Sequence, residues 1–234
     1  MPGGEGRTGL RAVVLGASGA LGSAFVDLFR ADPRFEHVLA LSRSSTPGFS
    51  LEDEASIQAC AQFAALGGPL AWVIDATGAL EIDGQGPEKR LDALNATALM
   101  RAFEVNAIGP ALLMKHFIPL LATNRPTVFA TLSARVGSIE DNHKGGWYGY
   151  RAAKAARNML LQTAAIEAHR RRPLAVFAAL QPGTVRSRLS QPFVAPEDAL
   201  APEVAAAHML QVLDQLRPTG RAQFVDYRGA AIAW

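Results

Sequence analysis

Along this chain, short runs of apolar residues alternate with longer stretches in which apolar residues recur every three or four positions. The runs are RAVVL (11–15), HVLAL (37–41), AWVID (71–75), TVFATL (127–132), LAVFAAL (174–180) and AQFVD (222–226). Each has strand length and is apolar almost throughout, the pattern of a strand buried on both faces. Helical stretches fall at about 20–31, 54–66, 88–122, 148–171 and 201–216. Alternating strand and helix predict βαβ units. The fold class is therefore α/β, a doubly wound, mostly parallel sheet with helices on both faces. The length, 234 residues, fits one large domain better than two small ones. Residues 1–9 are expected to form a disordered leader and 10–234 the domain. The Pro-rich stretch 182–202 reads as a long loop across one edge of the sheet.

Composition narrows the function classes. The chain has 23 basic and 21 acidic residues, so it offers neither a nucleic-acid-binding face nor an acidic tail. The run HRRR (169–172) reads as the cationic end of a helix, where positive charge suits the dipole. A single cysteine, Cys60, allows no intrachain disulfide and suits a reducing compartment. The first residues lack a signal-peptide pattern and no window of 18 apolar residues exists. A cytoplasmic protein with no membrane partner is the expectation. The five histidines show no metal-ligand spacing, and no metal is expected.

Candidate chemistry begins where the first strand ends, in LGASGALGS. Gly16, Gly19 and Gly22 stand between a strand and a helix. A sharp turn there needs residues without Cβ, and the helix start presents N–H groups and a positive dipole end to an anion. DATG (75–78) follows the third strand. In FEVNAIGP (103–110), Pro110 has no N–H for the carbonyl of Asn106, so the helix should kink. TLSARVGS (131–138) holds two competing serines, Ser133 at the strand end and Ser138 beyond it; Ser133 is favoured. In WYGYRAAKAA, Tyr150 and Lys154 are four apart and share a helix face, whereas Tyr148 faces elsewhere. A nearby ammonium is expected to bring the phenol pKa down toward the working range.

Taken together, these segments resemble the short-chain dehydrogenase/reductase family, in particular its C-factor-like branch, over residues 11–234. Leu15 and Ala20 depart from the family's usual glycine turn, and the gap from Ser133 to Tyr150 is longer than usual. The resemblance implies a single Rossmann-type domain that moves hydride between NADP(H) and a small carbonyl or alcohol substrate. Tyr150 would be the general acid/base, Ser133 would orient the substrate oxygen, Lys154 would tune Tyr150 and hold the nicotinamide ribose, and Asn106 would anchor a relay water. The implied cofactor contacts are Gly16, Ser18, Gly19, Ala20, Leu21 and Gly22 at the pyrophosphate, Ala76, Thr77 and Gly78 at the adenine and ribose side, and Pro182, Gly183, Thr184 and Val185 near the nicotinamide. Asn106, Tyr150 and Lys154 would also contact the cofactor, as would Leu51. The second strand ends in Ser42 and Arg43 rather than a carboxylate, and a guanidinium suits the 2′-phosphate of NADP. Arg186, Arg188 and Phe193 do not choose between an acidic and an aromatic substrate. In the family the two long helices often build an interface, so a homodimer or homotetramer is expected. The alternative is an NAD(P)-binding signalling or scaffold protein with little turnover.

Overall fold

The computed structural model describes residues 9–187, 190–191 and 195–234. Apart from Gly9, the expected leader lies outside these residues, as do Arg188 and Phe193. The six apolar runs all become strands: β1 (Leu10–Leu15), β2 (Phe35–Leu41), β3 (Trp72–Asp75), β4 (Thr127–Leu132), β5 (Ala175–Gln181) and β6 (Ala222–Asp226). They pair in parallel in the order β2-β1-β3-β4-β5-β6.

Burial on both faces explains their continuous apolarity. In β1, Ala12 and Val14 face one core layer while Val13 and Leu15 face the other. The first layer is closed by α1 (Ala20–Ala31) and α6 (Pro202–Gln215). The second is closed by α2 (Glu54–Ala65), α4 (Gly109–Phe117) and α5 (Tyr148–His169). Phe29, Phe35 and Trp72 meet edge to face at 4.6–5.9 Å in the first layer.

The helix anticipated over 88–122 is shorter and composite. Residues 88–95 are irregular, with one 3-10 turn at Leu91–Ala93. The Asn95 side chain accepts the Ala98 N–H at 2.8 Å, and this cap starts α3 (Ala96–Phe103). Glu104–Ile108 is then a π turn, in which the Gly109 N–H reaches back five residues to the Glu104 carbonyl. Pro110 stands in the first turn of α4 and has no N–H to return to Asn106, so the expected disturbance takes the form of a widened turn.

The strand order positions the site. β2 and β3 flank β1 on opposite sides, so their connections diverge and open a crevice beyond the carboxyl ends of the strands. The loop after β5 is clipped across its neck, where Val185 bridges Leu200.

Candidate active site

A cleft of about 670 Å³ occupies that crevice, walled by the ends of β1, β3, β4 and β5. It gathers Ser18, Gly19, Ala20, Leu21, Gly22, Ala76, Thr77, Gly78, Ser133, Tyr150, Lys154, Pro182, Gly183, Thr184 and Val185, all expected from sequence. Gly16 shapes its floor without lining it. Its φ is +80°, and a Cβ on Gly22 would stand 2.2 Å from the Gly16 carbonyl oxygen. Gly19 caps α1 without a side chain, and the first turn holds no acidic residue. The unpaired N–H groups of that turn therefore face the cleft beside backbone that only glycine permits. This cradle fits a pyrophosphate.

Besides Gly16, four expected cofactor residues do not line the cleft: Ser42, Arg43, Leu51 and Asn106. Ser42 is buried, and its hydroxyl pairs with that of Ser44 at 3.1 Å. The preceding Leu41 carbonyl accepts the N–H groups of Gly16 and Ala17, which ties the end of β2 to the glycine turn. Arg43, next along, is exposed and makes no ion pair among the described residues. Leu51 packs on Gly109, where a Cβ would lie 2.6 Å from the Leu51 Cβ.

The other end of the cleft is built by α5. Gly145, Gly146 and Trp147 all have left-handed backbone, with φ of 63°, 65° and 56°. This turn swings the chain into α5, whose N-terminus is capped from a distance. Glu88 accepts the Trp147 N–H through its carbonyl and the Gly149 N–H through its carboxylate at 3.0 Å. Tyr150 is then buried, at 8% exposure, against 36% for Tyr148. Lys154 lies under Tyr150, its Nζ 5.6 Å from the ring centre, and donates to the Leu132 carbonyl at 2.9 Å. The Ser133 hydroxyl donates to Asn158 Oδ1 at 2.7 Å. Ser138 is buried outside the cleft and accepts the Asp141 N–H.

Asn106, on the π turn, does something the sequence did not indicate. Its side chain pairs twice with Ala79, accepting the N–H at 3.0 Å and donating to the carbonyl at 2.9 Å. That holds the loop after β3 against the helix. Beside it lies a second cavity of about 180 Å³, reached by Asn106, Glu88, Arg101 and Tyr150. Gly78 is where these parts meet. At its φ of +138°, a Cβ would stand 3.0 Å from Asn106 Oδ1 and 3.4 Å from Lys154 Nζ.

Burial pushes the Tyr150 phenol up to about 12, with the charge of Arg157 pulling the other way. The expected lowering by Lys154 is not what dominates: burial outweighs it, and the opposing charge is that of Arg157. Burial, and after it the charge of Arg157, drive Lys154 well below the ordinary lysine range, with Asp75 opposing. Sequence reasoning missed Asp75, Thr131, Arg157, Asn158 and Glu88. For two of them a signal was present: Arg157 and Asn158 occupy the same buried face of α5 as Tyr150 and Lys154, three and four residues past the lysine. Among the described residues no cluster of His, Cys, Asp or Glu forms a metal site.

Comparison with known proteins agrees with this architecture. A 1-hydroxy-2-glutathionyl-2-methyl-3-butene dehydrogenase of Rhodococcus sp. (strain AD45) is 29% identical over 192 residues, 80% of this chain and 79% of that one. The protein named C-signal of Myxococcus xanthus is 33% identical over 138 residues, 58% of this chain and 78% of that one. The NADPH-bound carbonyl reductase from chicken fatty liver superposes with a TM-score of 0.82 at 22% identity, over 97% of this chain and all of that one. A carbonyl reductase from Pseudomonas aeruginosa PAO1 in complex with NADP gives 0.75 at 19% identity, over 96% and 100%. The family model described as short chain dehydrogenase matches residues 46–198, well over half of the sequence. With a parallel sheet of this order, a glycine cradle at one end of the cleft and Ser133, Tyr150 and Lys154 at the other, the chain belongs to the short chain dehydrogenase family.

Proposed function

We propose that this protein is an NADP(H)-dependent oxidoreductase that interconverts a small carbonyl compound and its alcohol. One observation carries the reading: Ser133, Tyr150 and Lys154 converge at the end of the cleft opposite the glycine cradle. A nicotinamide bound there would supply or accept the hydride. Tyr150 gives a proton to the substrate oxygen or takes one from it, and Ser133 orients that oxygen. Lys154 places charge beneath Tyr150 and holds the ribose. Asn106 reaches the cavity behind Tyr150, which supports its part in a proton relay. The exposed, unpaired Arg43 at the end of β2 supports a preference for the 2′-phosphate.

The relative named C-signal favours a second reading, in which the cofactor is bound for signalling or scaffolding and turns over little. NADPH consumption over a panel of aldehydes and ketones separates the two. Turnover in the parent, lost in Tyr150→Phe, is expected; saturable NADPH binding with no turnover on any carbonyl overturns the enzymatic reading. Fluorescence titration tests the cofactor: NADPH should bind more tightly than NADH, by a margin that shrinks at high salt. Arg43→Asp should reverse the preference. Equal affinities in the parent would remove the assignment. Association into a homodimer or homotetramer is also proposed, because α3 and the π turn expose Met100 and Ile108 while α5 exposes Met159 and Ile166.

A further inference from the structure

Beneath the cleft lies a charge network that the reaction as outlined does not use. Arg157 and Asp75 are both fully inaccessible and meet at 3.1 Å. Arg157 Nη1 donates to the Leu132 carbonyl at 2.6 Å and the Thr77 carbonyl at 3.0 Å; Nη2 also reaches Thr77 Oγ1 at 3.0 Å. Asp75 accepts the Thr131 hydroxyl at 2.7 Å and both the N–H and hydroxyl of Thr77. The Arg157 Nε has no partner among the described residues. Stability alone is a poor reason for such a pair, since well-packed apolar side chains often replace a buried ion pair at no loss.

Its position supplies another reason. The strand ends it binds carry Ala76, Thr77, Leu132 and Ser133, which line the cleft. The Leu132 carbonyl that takes the Arg157 hydrogen bond also takes that of Lys154 Nζ, at 2.9 Å. Two cations thus converge on one oxygen. We propose that Arg157 is a positioning residue of this site: it fixes the carbonyl that seats Lys154 and sets a second positive charge behind it, which disfavours the lysine ammonium. The inference rests on the oxidoreductase reading above. Among the described residues, the charged and titratable groups facing Lys154 are Tyr150 and Arg157 on its own helix and Asp75 on β3. From the π turn Asn106 approaches the same Gly78 position as Lys154, and from the turn after β4 Gly137 packs on the Lys154 stem. Like charge from Arg157 and burial both disfavour the ammonium, and the single carboxylate opposes them in part.

The chain has only four lysines, at 89, 115, 144 and 154, so lysine-selective NMR titration resolves the question directly. Lys154 is assigned by the resonance lost in Lys154→Met. In Arg157→Met its midpoint should rise by about one pH unit or more. Because that variant leaves Asp75 buried and unpaired, Asp75→Asn combined with Arg157→Met is measured beside it. Neutralising both partners protects the fold, and the midpoint should still rise, by a smaller amount. A midpoint equal to the parent's in the double variant reduces Arg157 to a structural clamp and overturns the proposal. The titration needs no turnover: if the parent consumes no NADPH, the oxidoreductase reading falls while the midpoint still reports on Arg157. If the parent turns over and the midpoint does not move, only the Arg157 inference falls.

Discussion

Lys154 is held where a lysine is least at home. It is 3% exposed, beside a second cation, and its ammonium is driven well below the usual range by burial and Arg157. The effect on stability follows from the sign of that shift. As pH falls below the unfolded lysine value of about 10.5, the unfolded chain takes up a proton that the folded chain refuses, so stability drops until the folded pKa is reached. Lys154→Met removes this loss. The variant should therefore melt above the parent at pH 7, and the gap should close as pH rises toward 10.5. Each kcal/mol regained would appear as about 2–4 °C in Tm for a chain of this size, which calorimetry between pH 6 and 10 would read. Turnover should fall at the same time, the usual opposition of stability and function at a working site. For the tyrosines, Tyr150→Phe should lower turnover by at least about 10²-fold. Tyr148→Phe should be much milder, and the reverse ranking in steady-state rates would overturn the assignment. That Tyr150 and Lys154 share the buried face of α5 was legible because they stand four apart on a helix. Asp75 and Arg157 were not, because their meaning lies in a contact 82 residues apart in the chain.

Elements built by local rules were read well, and those that depend on a distant partner were not. The strands follow from continuous apolarity, and α1, α2, α5 and α6 from periodicity and flanking breakers. Residues 88–95 carry a helix-like pattern yet stay irregular. Asn95 starts α3 late, and Glu88 is used elsewhere, as the remote cap of α5. A carboxylate there answers the unpaired N–H groups and the positive end of a 22-residue helix that has no capping side chain of its own. Glu88→Ala should therefore cost about 1 kcal/mol, seen as a lower urea midpoint with unchanged slope. Because the loop and the helix start are joined at this residue, turnover should fall with it. A stability unchanged within error would show that the cap contributes nothing.

At the scale of the molecule, one helix joins two tasks. The buried face of α5 carries Tyr150, Lys154, Arg157 and Asn158, while Met159 and Ile166 look outward. If copies associate through that outer face, Met159→Glu should yield a smaller species in light scattering while NADPH still binds. An unchanged mass would move the interface elsewhere. The parallel sheet with helices on both faces was readable from the alternation of strand and helix, whereas the order of its strands was not. The Asp75–Arg157 pair also constrains how this sequence can change over generations. Removing either partner alone strands a buried charge, a loss of about 3–5 kcal/mol. That is a large part of the 5–15 kcal/mol by which such a domain stays folded. Exchanging both together is nearly neutral, yet simultaneous double changes are rare. Descendants of this chain should therefore keep the two residues or lose them jointly, and ancestors that lacked one should have carried some other stabilising change before the second arrived.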